Sequence, residues 1–119
     1  MFFRKQVTTN IYFNFPVLVV NAILKNRIVG SIKCTVHNDG NTINIGDIQC
    51  NRNNKGYGSF MMKALIEYGK RNNYKSIEGW ISQVDVDHID RLHHFYRKFG
   101  FNITQNTDSI KIEDISLVL

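Results

Sequence analysis

Asn53-Asn54-Lys55-Gly56-Tyr57-Gly58-Ser59 is the stretch whose surroundings decide the fold. Before it, Thr42 to Cys50 reads as a strand that runs into the polar segment Asn51 to Lys55. After it the apolar period changes, and Phe60, Met61, Ala64, Leu65 and Tyr68 fall on one face of a helix ending near Asn72 or Asn73. Glycines at a strand-to-helix junction let the backbone approach an anion closely, and the unpaired amides of the first helical turn present the positive end of the macrodipole. In physical terms such a junction is a pyrophosphate cradle. The same Gly-x-Gly also marks an ordinary tight turn, so a second element has to decide between the two.

Upstream of the junction the chain reads as strands. Thr8 to Phe15 alternates apolar and polar residues, and Pro16 breaks the ladder by removing an amide donor, which suggests an edge strand. Val17 to Leu24, a turn at Lys25-Asn26-Arg27 and Ile28 to Val36 form a hairpin, and Asn38-Asp39-Gly40-Asn41 turns the chain into Thr42 to Cys50. Downstream, Lys75 to Ser82 is a short buried strand. Asp87 is placed as the N-cap of a second helix with apolar positions Ile89, Leu92, Tyr96 and Phe99, and Gly100 stands where a left-handed C-terminal cap is wanted. Phe101 to Thr104 and Ser109 to Leu119 finish as strands. The pattern predicts an α/β (α+β) fold: a mixed, mostly antiparallel sheet of about six to seven strands with two main helices.

At 119 residues and 43% hydrophobic content, residues 1–119 are expected to form one domain around one core. The longest apolar stretch, Phe15 to Val20 and on to Leu24, is well short of the roughly 20 residues a membrane-spanning helix needs. Arg4 and Lys5 precede it as a signal peptide would require, but no small-residue cleavage site follows, so a buried strand is the preferred reading. Cys34 and Cys50 are too few for a disulfide framework and lack metal-ligand spacing, which points to a reduced, cytoplasmic setting. A net charge of +5 favours polyanions, whether a nucleic acid or a phosphate-bearing cofactor.

The second element is Arg91-Leu92-His93-His94-Phe95-Tyr96-Arg97-Lys98-Phe99-Gly100-Phe101, one strand and one helix beyond the junction. Together the two resemble the GNAT acetyltransferases, in which a strand, a loop of the form Gln/Arg-x-x-Gly-x-Gly/Ala and a helix precede a strand and a helix ending in Tyr-x-x-x-Gly-Phe. Gly56 and Gly58 fill the loop glycines; Tyr96, Gly100 and Phe101 fill the later motif. Asn21 to Ile32 also looks like the family's second and third strands with their turn. The resemblance spans about Val17 to Thr104. Two departures stand out: Asn53 replaces the Gln or Arg that opens the loop, with Arg52 one position early, and there is no room before Val17 for the helices the family places between its first two strands.

The resemblance implies an N-acyltransferase that moves an acetyl group from acetyl-CoA to a primary amine by direct attack in a ternary complex. Pantetheine would pair with the backbone of Ile48, Gln49 and Cys50, and the turn of Asn53, Asn54, Lys55, Gly56, Tyr57, Gly58 and Ser59 would take the pyrophosphate. Tyr96, a phenol that keeps its proton at neutral pH, is the candidate donor to the departing thiolate; it also shares a packing face with Leu92 and Phe99. Asp47 and Glu78 are candidate bases near the ends of the two splayed strands, beside a water relay. The lack of room for the wall helices suggests an acceptor site open to a protein or another large substrate, and homodimers are common in such folds. No metal is expected, because Asp87 and Asp90 suit helix capping and His88 and His93 do not share a helix face. Two other readings stay open: a domain that binds an acyl-CoA or a partner without turnover, and a nucleic-acid-binding protein using Lys70, Arg71, Lys75, Arg97 and Lys98, for which no nucleic-acid motif is present.

Overall fold

The computed structural model describes residues 6–51, 56–106 and 110–119. Four strands come first: β1 (Thr8–Asn14), β2 (Val17–Leu24), β3 (Arg27–Val36) and β4 (Thr42–Cys50). Then follow α1 (Tyr57–Arg71), β5 (Ser76–Ser82), a 3-10 segment at Gln83–His88, α2 (Ile89–Lys98), β6 (Asn102–Gln105) and β7 (Lys111–Val118). The seven strands make one sheet in the order β1-β2-β3-β4-β5-β7-β6. All neighbours are antiparallel except β4 and β5, so the expected mixed, mostly antiparallel sheet with two helices is present.

The turns follow the sequence chemistry. Lys25 and Asn26 both take left-handed φ, 51 and 61°, the geometry that lets a two-residue hairpin match the strand twist. At the next reversal Asp39 Oδ1 accepts from the Asn41 amide at 2.9 Å and Gly40 has a φ of 69°. Gly100 closes α2 with a φ of 90°, while the Phe101 amide reaches back to the Tyr96 carbonyl at 3.1 Å. The start of α2 differs from expectation. Asp87 lies inside the 3-10 segment, His88 is the N-cap, and no side chain caps the helix there. A 3-10 turn running directly into a helix can take the place of a capping side chain. Ser109, the expected start of the last strand, lies outside the described residues.

Alternation along the strands sorts the sheet into two faces. Leu18, Val20, Ile32, Ile43, Ile77 and Ile115 are buried on one of them. Helix α1 covers that face over β2, β3 and β4 with Met61, Met62 and Leu65. Helix α2 lies on it too: His93 Nε2 sits 2.6 Å from Oε1 of Glu113, a buried carboxylate two residues before Ile115 on β7. Gln105 donates to the other Glu113 oxygen at 3.3 Å, so that buried charge is partnered. No helix among the described residues packs on the opposite face, which mixes polar rows with exposed Tyr12, Val17, Trp80 and Val118. Asn10, Asn21 and Ser31 form a hydrogen-bonded row across β1, β2 and β3, and Lys33, Trp80 and Asp114 are exposed. Only Phe15 and Pro16 join β1 to β2, so no helix covers this face from between the first two strands.

Candidate active site

The site begins where the one parallel ladder stops. Strands β4 and β5 pair over Thr42↔Ser76, Ile43↔Ile77 and Asn44↔Glu78, and no pairs follow although both strands continue. On its other side β4 carries a bulge: Lys33 pairs with Asp47 and Cys34 with Ile45, leaving Gly46 as the extra residue. A β-carbon there would lie 3.2 Å from the Lys33 carbonyl oxygen, so a side chain would crowd the bulge. Bulges bend and twist their strand, and this one directly follows the last parallel rung. Strand β5 meanwhile follows β7 to Ser82. The two strands diverge and open a cleft of about 540 Å³ through the sheet.

Ile45, Asp47, Ile48 and Cys50 form one wall of the cleft, and Trp80 and Ile81 the other. The edge of β4 that faces this gap has no strand partner from Ile45 onward, so its backbone groups can pair with an extended amide chain. Gly56, Gly58 and Ser59 bring the start of α1 to the same cleft. Gly56 is the N-cap, with φ 74 and ψ 11°, no side-chain cap and no acidic residue in the first turn. Among the described residues no side chain takes the first amides of α1, so they and the positive end of the dipole can serve an anion at the cleft. Lys98 from α2 donates to Ser59 Oγ at 2.7 Å, which puts an ammonium beside that turn, and Arg91 and His94 line the same side.

Tyr96 lies deeper, with 7% of its surface exposed. Its ring packs edge-on against Phe95 and Phe101, at 5.3 and 5.4 Å between centroids. Burial, and then the charges of Asp85 and Asp47 and the Cys34 thiol, push its phenol up to about 12. The hydroxyl is thus a firmly held donor. It lines the cleft between the β4 wall and α2.

A model of the Acetyltransferase (GNAT) family matches residues 3–101. The chain is a GNAT family member. The match ends before β6 and β7, although β7 completes the sheet beside β5. Among curated proteins, uncharacterized protein YocC of Bacillus subtilis (strain 168) is 39% identical over 67 residues, which are 56% of this chain and 40% of that protein. This chain thus spans less than half the length of that relative. Many solved structures share the fold, among them two with acetyl-CoA bound. A GNAT family acetyltransferase from Elizabethkingia anophelis with acetyl-CoA bound has a TM-score of 0.65 at 20% identity, covering 87% of this chain and 77% of that one. A protein assigned as a streptothricin acetyltransferase from Bacillus anthracis str. Ames, in complex with acetyl coenzyme A, has a TM-score of 0.71 at 23% identity, covering 91% and 67%.

In this GNAT chain the residues singled out from sequence do not all converge. Asp47, Ile48, Cys50, Gly56, Gly58, Ser59 and Tyr96 line one cleft. Gln49 is exposed on β4 and does not line it, and Tyr57 is buried in the core at the first turn of α1. Glu78 sits on the last paired rung, exposed, with Ser76 Oγ donating to it at 3.3 Å. Asn53, Asn54 and Lys55 lie outside the described residues, as does Arg52. Sequence reasoning missed Trp80, Asp85, His88, Arg91 and His94 as cleft residues. Two signals were available: a tryptophan at a solvent-facing position of an alternating strand, and the spacing of Arg91, Phe95 and Lys98 along one helical face. Among the described residues no group of three or more His, Cys, Asp or Glu could hold a metal, and no helix is long and apolar enough to cross a membrane.

Proposed function

We propose that this GNAT chain is an acetyl-CoA-dependent N-acetyltransferase acting on a primary amine, with residues 1–119 working as one domain. One observation carries the reading: an unpaired strand edge, an uncapped helix start and a buried tyrosine hydroxyl meet on a single cleft. The fit to the cofactor is chemical. The free edge of β4 around Ile48 and Cys50 matches the two amides of a pantetheine arm, and the α1 turn with Lys98 beside it matches a pyrophosphate. Acetyl-CoA bound in the Elizabethkingia anophelis neighbour, which has the same fold, supports the same choice.

Acetyl-CoA would supply the activated carbonyl. In the transfer a nitrogen–carbon bond forms and the carbon–sulfur bond breaks, while the proton shed by the amine ends on the sulfur. Tyr96 is assigned as hydrogen-bond donor to the leaving sulfur. A phenol held at about 12 keeps its proton against a thiol of ordinary pKa about 8.5, so it stabilises thiolate charge without having to surrender the proton. Asp47, in the cleft wall, is the better placed of the two carboxylates to receive the amine proton, directly or through water. Glu78, on the paired rung outside the cleft, is left as a surface residue.

Thermal melting tests the assignment. Saturating acetyl-CoA should raise the melting temperature by several degrees, since a ligand at about 100 Kd stabilises by about 2.7 kcal/mol, and an oligonucleotide should not. No shift, together with no heat of binding, would sink the transferase reading. A shift with oligonucleotide alone would favour nucleic-acid binding.

A further inference from the structure

Resting on the transferase reading, we propose that Trp80 is the specificity-determining plate of the acceptor site, and that the acceptor is a small polycationic amine. The cleft passes through the sheet, and its two mouths differ. On the helix side stand Arg91, His94 and Lys98, beside the glycine turn. On the other side Trp80 is 44% exposed and lines the cleft. Its indole presents an apolar π-face to that mouth, a surface suited to a cation.

The ring already holds a cation. Lys111 Nζ lies 5.2 Å from the Trp80 centroid, so the indole accepts an ammonium in the native structure. Carboxylates surround the same position. Asp114 is directly opposite Trp80 on β7, Glu78 is two residues back on the same face of β5, and Asp47 and Asp85 line the cleft below. Lys33, opposite Asp47 in the strand ladder, and Lys111 are the opposing charges on this side. An amine nitrogen directed at the thioester would pass Asp47, while a second cationic group one chain length away would lie on the indole among Asp114 and Glu78. A mono-amine would fill the first position only. The helix-free face leaves room for the trailing charges, since no helix from between β1 and β2 closes over it.

The test uses the whole protein, with spermidine, an aminoglycoside and a lysine-rich peptide against a mono-amine of matched length and an acidic amino acid. Calorimetry with each amine, with and without coenzyme A, is read beside steady-state acetylation. Spermidine or the aminoglycoside should exceed the mono-amine in kcat/KM by about tenfold or more, and Trp80→Ala should raise the KM of that amine by about tenfold with the KM for acetyl-CoA unchanged. Trp80→Phe should recover much of the loss, which separates ring chemistry from folding. Preference for the lysine-rich peptide alone would replace a small acceptor by a protein and overturn the proposal as stated. Tight acetyl-CoA binding with no preference for extra charge, or with Trp80→Ala silent, would also overturn it. If acetyl-CoA gave no heat but spermidine bound in a Trp80-dependent way, the transferase reading would fall and the amine site would stand.

Discussion

Two buried titratable groups set how the site responds to pH. Burial pushes the Cys34 thiol from its ordinary 9.0 up to about 12, and Tyr96 rises from 10.0 to about 12. For both, folding favours the protonated form. Their contribution is full below the unfolded-state values and is lost as pH climbs through them toward the folded ones. The melting temperature should therefore fall between about pH 9 and 12, and Cys34→Val should blunt the first part of that fall. Catalysis should show no loss from phenol ionisation up to about pH 10. Tyr96→Phe should lower kcat about a hundredfold, with the KM for acetyl-CoA little changed, in single-turnover and steady-state assays. An unchanged kcat would leave Tyr96 as a packing residue against Phe95 and Phe101. The Tyr96 position was legible in sequence because Gly100 and Phe101 follow at fixed offsets. Its depth was not, since burial depends on how α2 packs against the sheet, a tertiary property.

At the scale of elements, the two loop glycines separate into different roles. Gly56 needs its left-handed backbone, and a side chain there would meet nothing within 4 Å. Gly58 has ordinary φ, but a β-carbon would come within 3.3 Å of Phe95 Cε1 on α2. Gly56→Ala should cost about 1 kcal/mol in chemical denaturation through backbone strain. Gly58→Val should instead push α2 from α1 and weaken acetyl-CoA binding more than stability; retained affinity would place the cradle elsewhere. The strand-to-helix junction was readable because glycine has few uses there, whereas the packing of Phe95 on Gly58 is a tertiary contact with no local signature. The same holds for His93 and Glu113. Their pairing ties α2 to β7, and Glu113→Ala, which removes the partner of His93 and Gln105, should cost about 1 kcal/mol. The 3-10 approach to α2 escaped the capping rules because several residue types there suit either geometry.

The whole molecule is one sheet with its helices on a single face. That arrangement follows from alternation that buries Leu18, Val20, Ile32 and Ile43 while exposing their neighbours. The strand order could only be sketched in advance, because the insertion of β7 between β5 and β6 is a long-range pairing that propensities do not encode. Splaying depends on a bulge at Gly46, which sequence marks only as a glycine in a strand. Positive charge at the helix-side mouth should make acetyl-CoA binding salt-sensitive, with Kd rising several-fold between about 50 and 500 mM salt as the Debye length shrinks. A salt-independent Kd would mean that backbone amides alone hold the phosphates. The two-residue link at Phe15 and Pro16 bears on kinetics. Because β1 turns straight into β2, nothing in that connection can swing across the cleft once one reactant has arrived. If cofactor and amine use the two faces of the sheet as proposed, neither blocks the other, and initial-rate kinetics should show no compulsory order of addition or release.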